Sequence, residues 1–333
     1  MVRFLRRVLN TAIVVLFVSL LMFLLVRVLP GDPVAAAMGE GVTKEQADKF
    51  RAEMGLDKPL YLQYATYLDQ LAHGEFGRSL IESRDVGEIV SERLPATLEL
   101  VICALLFAVV VGVPLGILSA THRNGLLDQV SRLCSLTGVS FPGFWAALML
   151  QLLLGAALAL LPITGRITGP PPEHITGLYL VDSLLTGNMS AFGDAFRHLV
   201  APTIVLALGP LAQVTGMIRS SMLDELSKPY VSFSHAVGMP GFLINYKYAL
   251  RNAFSATLTL IGFLFPLMIG SAFVVEKVFA WPGIARFGAD AILANDYNAI
   301  VGVTLVVCLF VVVVNFVTDE LYVMLDPRIR LQR

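Results

Sequence analysis

The chain has 333 residues, of which 56% are hydrophobic and 15% charged, and its formal net charge is −1. Soluble domains carry about 25% charged residues, so this shortfall excludes an ordinary water-soluble core and points to lipid as the solvent for much of the surface. A near-neutral chain without a long basic block is also no nucleic-acid binder.

The chain opens with Arg3, Arg6 and Arg7 ahead of an apolar run from Val8 to Val28. That run is longer than the roughly 7–15 residues of a signal-peptide core. Arg27 and the turn Pro30-Gly-Asp-Pro33 separate it from the small-residue stretch Ala35-Ala-Ala37. At about 1.5 Å per residue it crosses the hydrocarbon layer as a retained first span.

From Gly31 to Pro95 the chain turns polar, with seven Lys/Arg against twelve Asp/Glu. It reads as a small extramembrane domain. Thr43 is the expected N-cap of a helix there. Tyr61, Tyr64, Tyr67, Leu68 and Leu71 recur at helical spacing, as on a helix packed toward the membrane. Further apolar stretches follow at 96–119, 133–161, 199–218, 256–275 and 299–323, giving about six spans. The stretch at 133–161 is long enough for a tilted span or for a span plus a re-entrant turn. Interruptions at Gly112-Val-Pro114, Pro142-Gly143, Gly209-Pro210 and Pro266 suit helices that line a path, because freed backbone groups inside lipid need neighbours.

With the N-terminus in the cytoplasm, the inner segments hold Arg3, Arg6, Arg7, Arg123, Arg132, Arg219, Lys228, Lys247, Arg251, Arg328, Arg330 and Arg333. The short outer loops hold Arg166, Arg197, Lys277 and Arg286. This bias places both termini inside. Arg27, Glu99 and Asp319 are expected near helix ends, within reach of the interface. With no carboxylate expected at mid-bilayer, an ion-coupled secondary transporter acting alone is disfavoured. An intramembrane enzyme lacks a nucleophile–base pair at matching depth. Cys103, Cys134 and Cys308 read as scattered packing residues. His73, His174 and His198 have no metal-ligand spacing, so no metal site is expected.

No GxxxxGK[ST] motif occurs, so an ATP-driven pump needs its nucleotide engine on another polypeptide, gripping this chain by a cytoplasmic handle. The segment 219–255 is the candidate: a short helix of small residues around Tyr230, Ser234, His235, Ala236 and Val237, stopping near Gly238 with Pro240 and Gly241 beyond, then a charged-aromatic stretch to Arg251 and Asn252.

At this segment the chain resembles the permeases of the dipeptide/oligopeptide/nickel group of bacterial ATP-binding-cassette importers, and the likeness runs nearly end to end. Its carriers are Pro30-Gly-Asp-Pro33, Met54-Gly-Leu-Asp-Lys-Pro-Leu-Tyr61, Gly74-Glu-Phe-Gly-Arg-Ser-Leu80, Arg93-Leu-Pro-Ala-Thr-Leu-Glu-Leu100, Arg219-Ser-Ser-Met222, Ala249-Leu-Arg-Asn-Ala253, Val275-Glu-Lys-Val-Phe-Ala-Trp-Pro-Gly283 and Leu325-Asp-Pro-Arg-Ile-Arg330. The group's coupling motif aligns with Ser234-His-Ala-Val-Gly238. Ala236 and Gly238 match it, while His235 and Val237 replace basic residues and Ser255-Ala256 stands where a proline is usual.

The resemblance implies an all-α type I importer permease with a small extracytoplasmic domain after the first helix. Its organisation would be 1–30 cytoplasmic start and first span, 31–95 extracytoplasmic domain, 96–325 permease core with coupling loop 219–255, and 326–333 cytoplasmic tail. It implies residence in the inner membrane and partners in kind: a second homologous permease, two ATPases docked on the coupling loops, and an extracytoplasmic solute-binding protein. ATP and magnesium would be bound by the ATPases, with no cofactor and no catalysis in this chain. Glu276, Lys277, Trp281, Pro282 and Gly283 are expected as an outer gate or binding-protein dock. The expected solute is a di- or oligopeptide; nickel or metal chelates, glutathione and opines are the alternatives within the group.

Overall fold

The computed structural model describes residues 2–28 and 57–325. Pro30-Gly-Asp-Pro33, the Thr43 helix start and the tail 326–333 lie outside the described residues. Among the described residues every regular element is a helix: α1 (Val2–Val28), α2 (Leu60–Ala72), α3 (Val86–Thr121), α4 (Leu126–Ser140), α5 (Gly143–Leu150) continued by a π-helical turn (Gln151–Ala157), α6 (Tyr179–Leu185), α7 (Met189–Leu226), α8 (Pro229–Ala236), a second π-helical turn (Leu243–Ala249) running into α9 (Leu250–Val278), α10 (Ile284–Leu293) and α11 (Tyr297–Leu325).

Among the described residues four stretches are long and apolar enough to cross a membrane: Val86–Thr121, Met189–Leu226, Leu243–Val278 and Tyr297–Thr318. The sharply bent pair α4–α5 makes a fifth if it counts as one span. The apolar part of α1, Thr11–Leu24, is shorter than that measure requires. Large apolar side chains such as Phe17, Leu106, Val110, Phe263 and Val313 stand exposed along these helices. Such a surface is unfavourable in water and suits hydrocarbon.

Prolines interrupt the apolar helices in two ways. Pro95, Pro114, Pro202, Pro210 and Pro266 lie inside continuous helices. Pro142 instead marks the bend between α4 and α5, and Phe141 before it is extended (φ −76°, ψ 131°), as the steric clash of a following proline ring demands.

The described residues form two compact units. One takes the chain up to Glu92 together with Phe287–Val312. Within it, Tyr64 and Tyr67 of α2 pack on Phe23 of α1 with ring centroids 5.2 and 5.6 Å apart. The Tyr64 hydroxyl donates to the Leu16 carbonyl at 3.1 Å and lies 2.9 Å from Ser19 Oγ. Tyr64 is therefore a packing residue with a satisfied polar tip; Tyr67 packs by its ring, and Tyr61 is 72% exposed. Asp296, fully buried, caps the start of α11 through the Ala299 N–H. Its other oxygen accepts from Ser79 Oγ at 2.6 Å and the Leu80 N–H at 2.7 Å, which fixes the Gly74–Leu80 motif in this unit.

The second unit, Arg93–Arg286 with the chain from Val313, is built around α7, which packs on α9, α4, α6 and α5. Gly112 and Gly116 of α3 bring its backbone against Val214, Thr215 and Ile218 of α7, a small-xxx-small contact of the kind membrane helices use where no hydrophobic effect drives them together.

Candidate functional site

The segment expected to be the handle folds as a short helix hung beneath the ends of two long ones. α8 starts on Pro229, whose fixed φ suits a first helical position. It ends at Ala236, and Gly238 (φ +77°) takes the left-handed turn that a side chain would resist. Its Val231 is buried, while Phe233 and Val237, one turn apart on α8 and its cap, are 69% and 59% exposed. Phe242 is 69% exposed and stacks on Tyr246 with centroids 4.7 Å apart. His235, Ala236 and Gly238 are exposed as well, and the Ser234 hydroxyl donates to the Tyr230 carbonyl at 2.8 Å. The tip of the segment is thus apolar and open.

Its base is polar and gathered on one buried carboxylate. Glu225, in the last turn of α7 and 8% exposed, accepts from Lys228 Nζ and from the Tyr230 hydroxyl at 3.0 Å, with Asn252 Nδ2 at 3.5 Å. Burial, and then the adjacent carboxylate, push the Tyr230 phenol above its ordinary range, so it stays protonated and donates. Tyr230, half-buried, and Asn252 are thereby brought together; Asn252 and Arg251 are both exposed. Above the base, Ile218 and Met222 of α7 pack with Ala249 and Ala253 from the α9 side and with Ile117 and Ala120 of α3.

The outer group is arranged the opposite way. Glu276, Trp281 and Gly283 are buried, and only Lys277 and Pro282 of the five are exposed. Glu276 accepts from Thr97 Oγ1 and from the Arg286 N–H at 2.7 Å. Thr97 Oγ1 in turn accepts the Ile284 N–H at 2.8 Å. Together they satisfy donors at the start of α10. Trp281 Nε1 donates to the Ala96 carbonyl at 2.9 Å, so this tryptophan is an internal clasp and not a side chain anchored at the membrane surface.

Two ion pairs built on buried carboxylates escape sequence reading. Glu99 was expected near a helix end; it lies inside α3, which begins at Val86 under an Asp85 cap, and it is buried against Arg166 at 2.6 Å. Gly177 O accepts a further bond from Arg166 at 2.7 Å, and the guanidinium lies 3.7 Å from the Tyr179 ring centroid. Asp182 holds that loop by accepting from Thr176 and Gly177; burial alone would raise its pKa, and these bonds outweigh it and bring it below the usual carboxylate value. The second pair joins Arg219 to Asp128 at 2.6 and 3.0 Å; Ser119 Oγ donates to Asp128 as well, at 2.6 Å. Among the described residues no group of three His, Cys, Asp or Glu is placed to hold a metal. His198 is occupied by the Asp194 carbonyl and Thr168 Oγ1.

Residues 112–331 match the family described as binding-protein-dependent transport system inner membrane component, and residues 1–101 match its N-terminal companion family. The chain is 40% identical over 319 residues to the probable D,D-dipeptide transport system permease DdpB of Escherichia coli K12, covering 95% of this chain and 94% of the relative. It is 37% identical over 318 residues to the dipeptide permease DppB of the same strain, with 94% of each chain covered. It is 40% identical over 336 residues to the di/tripeptide permease DppB of Pseudomonas aeruginosa UCBPP-PA14, over the full length of both. An inward-facing structure of the MetNI methionine ABC transporter shares the fold at a TM-score of 0.53 and 18% identity, covering 72% of this chain and 96% of that one. The chain belongs to the inner membrane components of binding-protein-dependent transport systems: it is the permease subunit, with the type I fold, of an ATP-driven importer.

Proposed function

We propose that this permease carries di- and oligopeptides inward, and that the α8 segment is where a separate ATPase grips it. The observation that carries the docking reading is the exposed apolar tip of Phe233, Val237 and Phe242 standing on a base fixed by Glu225. An extramembrane loop that offers such a surface favours a protein partner over water. The Lys/Arg bias sets the orientation: α8, both termini and the tail 326–333 lie in the cytoplasm, and residues 31–95 form an extracytoplasmic domain. One such chain and a second homologous permease line one path. Two ATPases hold ATP and magnesium below, and a binding protein delivers solute from above. Closure of the ATPases displaces α8, and the helices that carry it switch the path between its two states. The peptide assignment is supported by the three relatives, each named for dipeptide or di/tripeptide transport.

Gly238→Arg and Ala236→Glu each place a bulky charge on the docking surface. Both variants are expected to insert normally and to lose peptide uptake in cells that express the whole transporter. Full uptake by both would count against docking at α8. Competition for uptake by unlabelled dipeptides, tripeptides, glutathione and nickel chelates tests the solute, and displacement by the last two alone would overturn the peptide assignment.

A further inference from the structure

We propose that Glu225 is the positioning residue that converts movement of α8 into movement of the helices that carry it; the inference rests on the docking reading above. The carboxylate belongs to the last turn of α7, Tyr230 to the first turn of α8 and Asn252 to the first turn of α9. One buried side chain therefore joins three elements, through Oε2 to Tyr230 and Asn252 and through Oε1 to Lys228. Charge-assisted bonds of this kind are about twice as strong as neutral ones.

What α8 lacks makes the clasp matter. Ser232, Phe233, His235 and Ala236 face outward, and Val231 is the side chain α8 buries. A short helix anchored by one apolar side chain would swing on its linkers when pushed. With Tyr230 tied to Glu225 it cannot swing without giving up those bonds. Behind the clasp, the packed seam of Ile218 and Met222 with Ala249 and Ala253 transmits the displacement along α7 and α9 together. Six residues back from Glu225, Arg219 ties α7 to the buried Asp128 in the first turn of α4. A push on α8 is thereby delivered to a block and not to a hinge.

The test uses the whole transporter, this chain with its second permease and ATPases, in vesicles supplied with loaded binding protein. Three quantities are read: co-purification of the ATPases, ATP hydrolysis, and peptide uptake. Glu225→Ala and Tyr230→Phe are expected to keep the ATPases bound and hydrolysing while uptake falls about tenfold or more, the ratio that loss of one charge-assisted hydrogen bond gives. Glu225→Gln keeps an oxygen to accept from Tyr230 and Asn252, and is expected to restore most of the uptake per ATP. A purely structural role would lower hydrolysis and uptake in proportion. Unchanged uptake per ATP in Glu225→Ala and Tyr230→Phe overturns the proposal, as does loss of ATPase binding in both variants. If Glu225→Ala fails to insert, Tyr230→Phe alone decides. Failure of the docking reading is scored separately, by full uptake in both Gly238→Arg and Ala236→Glu.

Discussion

The two ends of α9 are each tied by a buried carboxylate, and they differ in what those carboxylates leave open. At the start of the helix, Glu225 fixes a base from which Phe233, Val237 and Phe242 project into the surroundings. At its far end, Glu276 is enclosed: Thr97, the Arg286 N–H and the Trp281 clasp on Ala96 use up the polar groups, and little but Lys277 and Pro282 reaches the surface. A polar interruption of an apolar chain can thus serve a partner or serve the fold, and exposure separates the two. At this end Lys277 and Pro282 are the exposed members of the five, with Glu276, Trp281 and Gly283 holding the turn behind them.

The contrast is broken most severely at Glu276. Glu276→Ala strands the Thr97 hydroxyl and the Arg286 N–H in a buried site, at about 1–3 kcal/mol each. The expected result is loss of most folded protein from detergent extracts, measured by thermal unfolding, with Glu276→Gln milder. Full stability in Glu276→Ala would return this end to the functional class. Next comes Gly283→Ala. A Cβ there would overlap the Glu276 carboxylate, and overpacking of this kind costs about 1–3 kcal/mol.

At the other end the same size of chemical change is expected to leave unfolding untouched. Phe233→Asp and Val237→Asp alter exposed side chains, so the midpoint stays at that of the parent while ATPase binding weakens by about tenfold or more, equivalent to about 1.4 kcal/mol. Binding measured by co-purification over a range of ATPase concentrations checks this. The smallest effect is expected at Gly238→Ala. Nothing lies within 4 Å of the added carbon, so the cost is the positive φ alone; it falls on the turn and not on the docking surface, and is read as a modest fall in uptake.

Much of the fold was legible because lipid imposes a simple code of long apolar runs, and the α8 segment because it is too polar and too punctuated to continue one. Gly238 and Pro240 marked the end of α8 by chain geometry that needs no partner. The clasps were not legible. Glu225 reads as one more acidic residue beside a loop until Tyr230 and Asn252 fold back on it. Glu99 was misplaced because the apolar stretch begins at 96, whereas burial of Val86, Ile89 and Val90 extends α3 back to the Asp85 cap. Its partner Arg166 is 67 residues away, and Asp128 and Arg219 are 91 apart. No periodicity links residues at such separations. The one available hint was energetic: a charge on an apolar helix needs a partner.

The central claim is that α8 faces an ATPase in the cytoplasm. A single cysteine at Val237, with Cys103, Cys134 and Cys308 replaced by serine, tests it directly in a transporter carrying a matching cysteine on the ATPase. The account predicts labelling by a membrane-impermeant maleimide in inside-out vesicles alone, and a disulfide to the ATPase under mild oxidation. Labelling from the outside of intact cells, with no such disulfide, would contradict it.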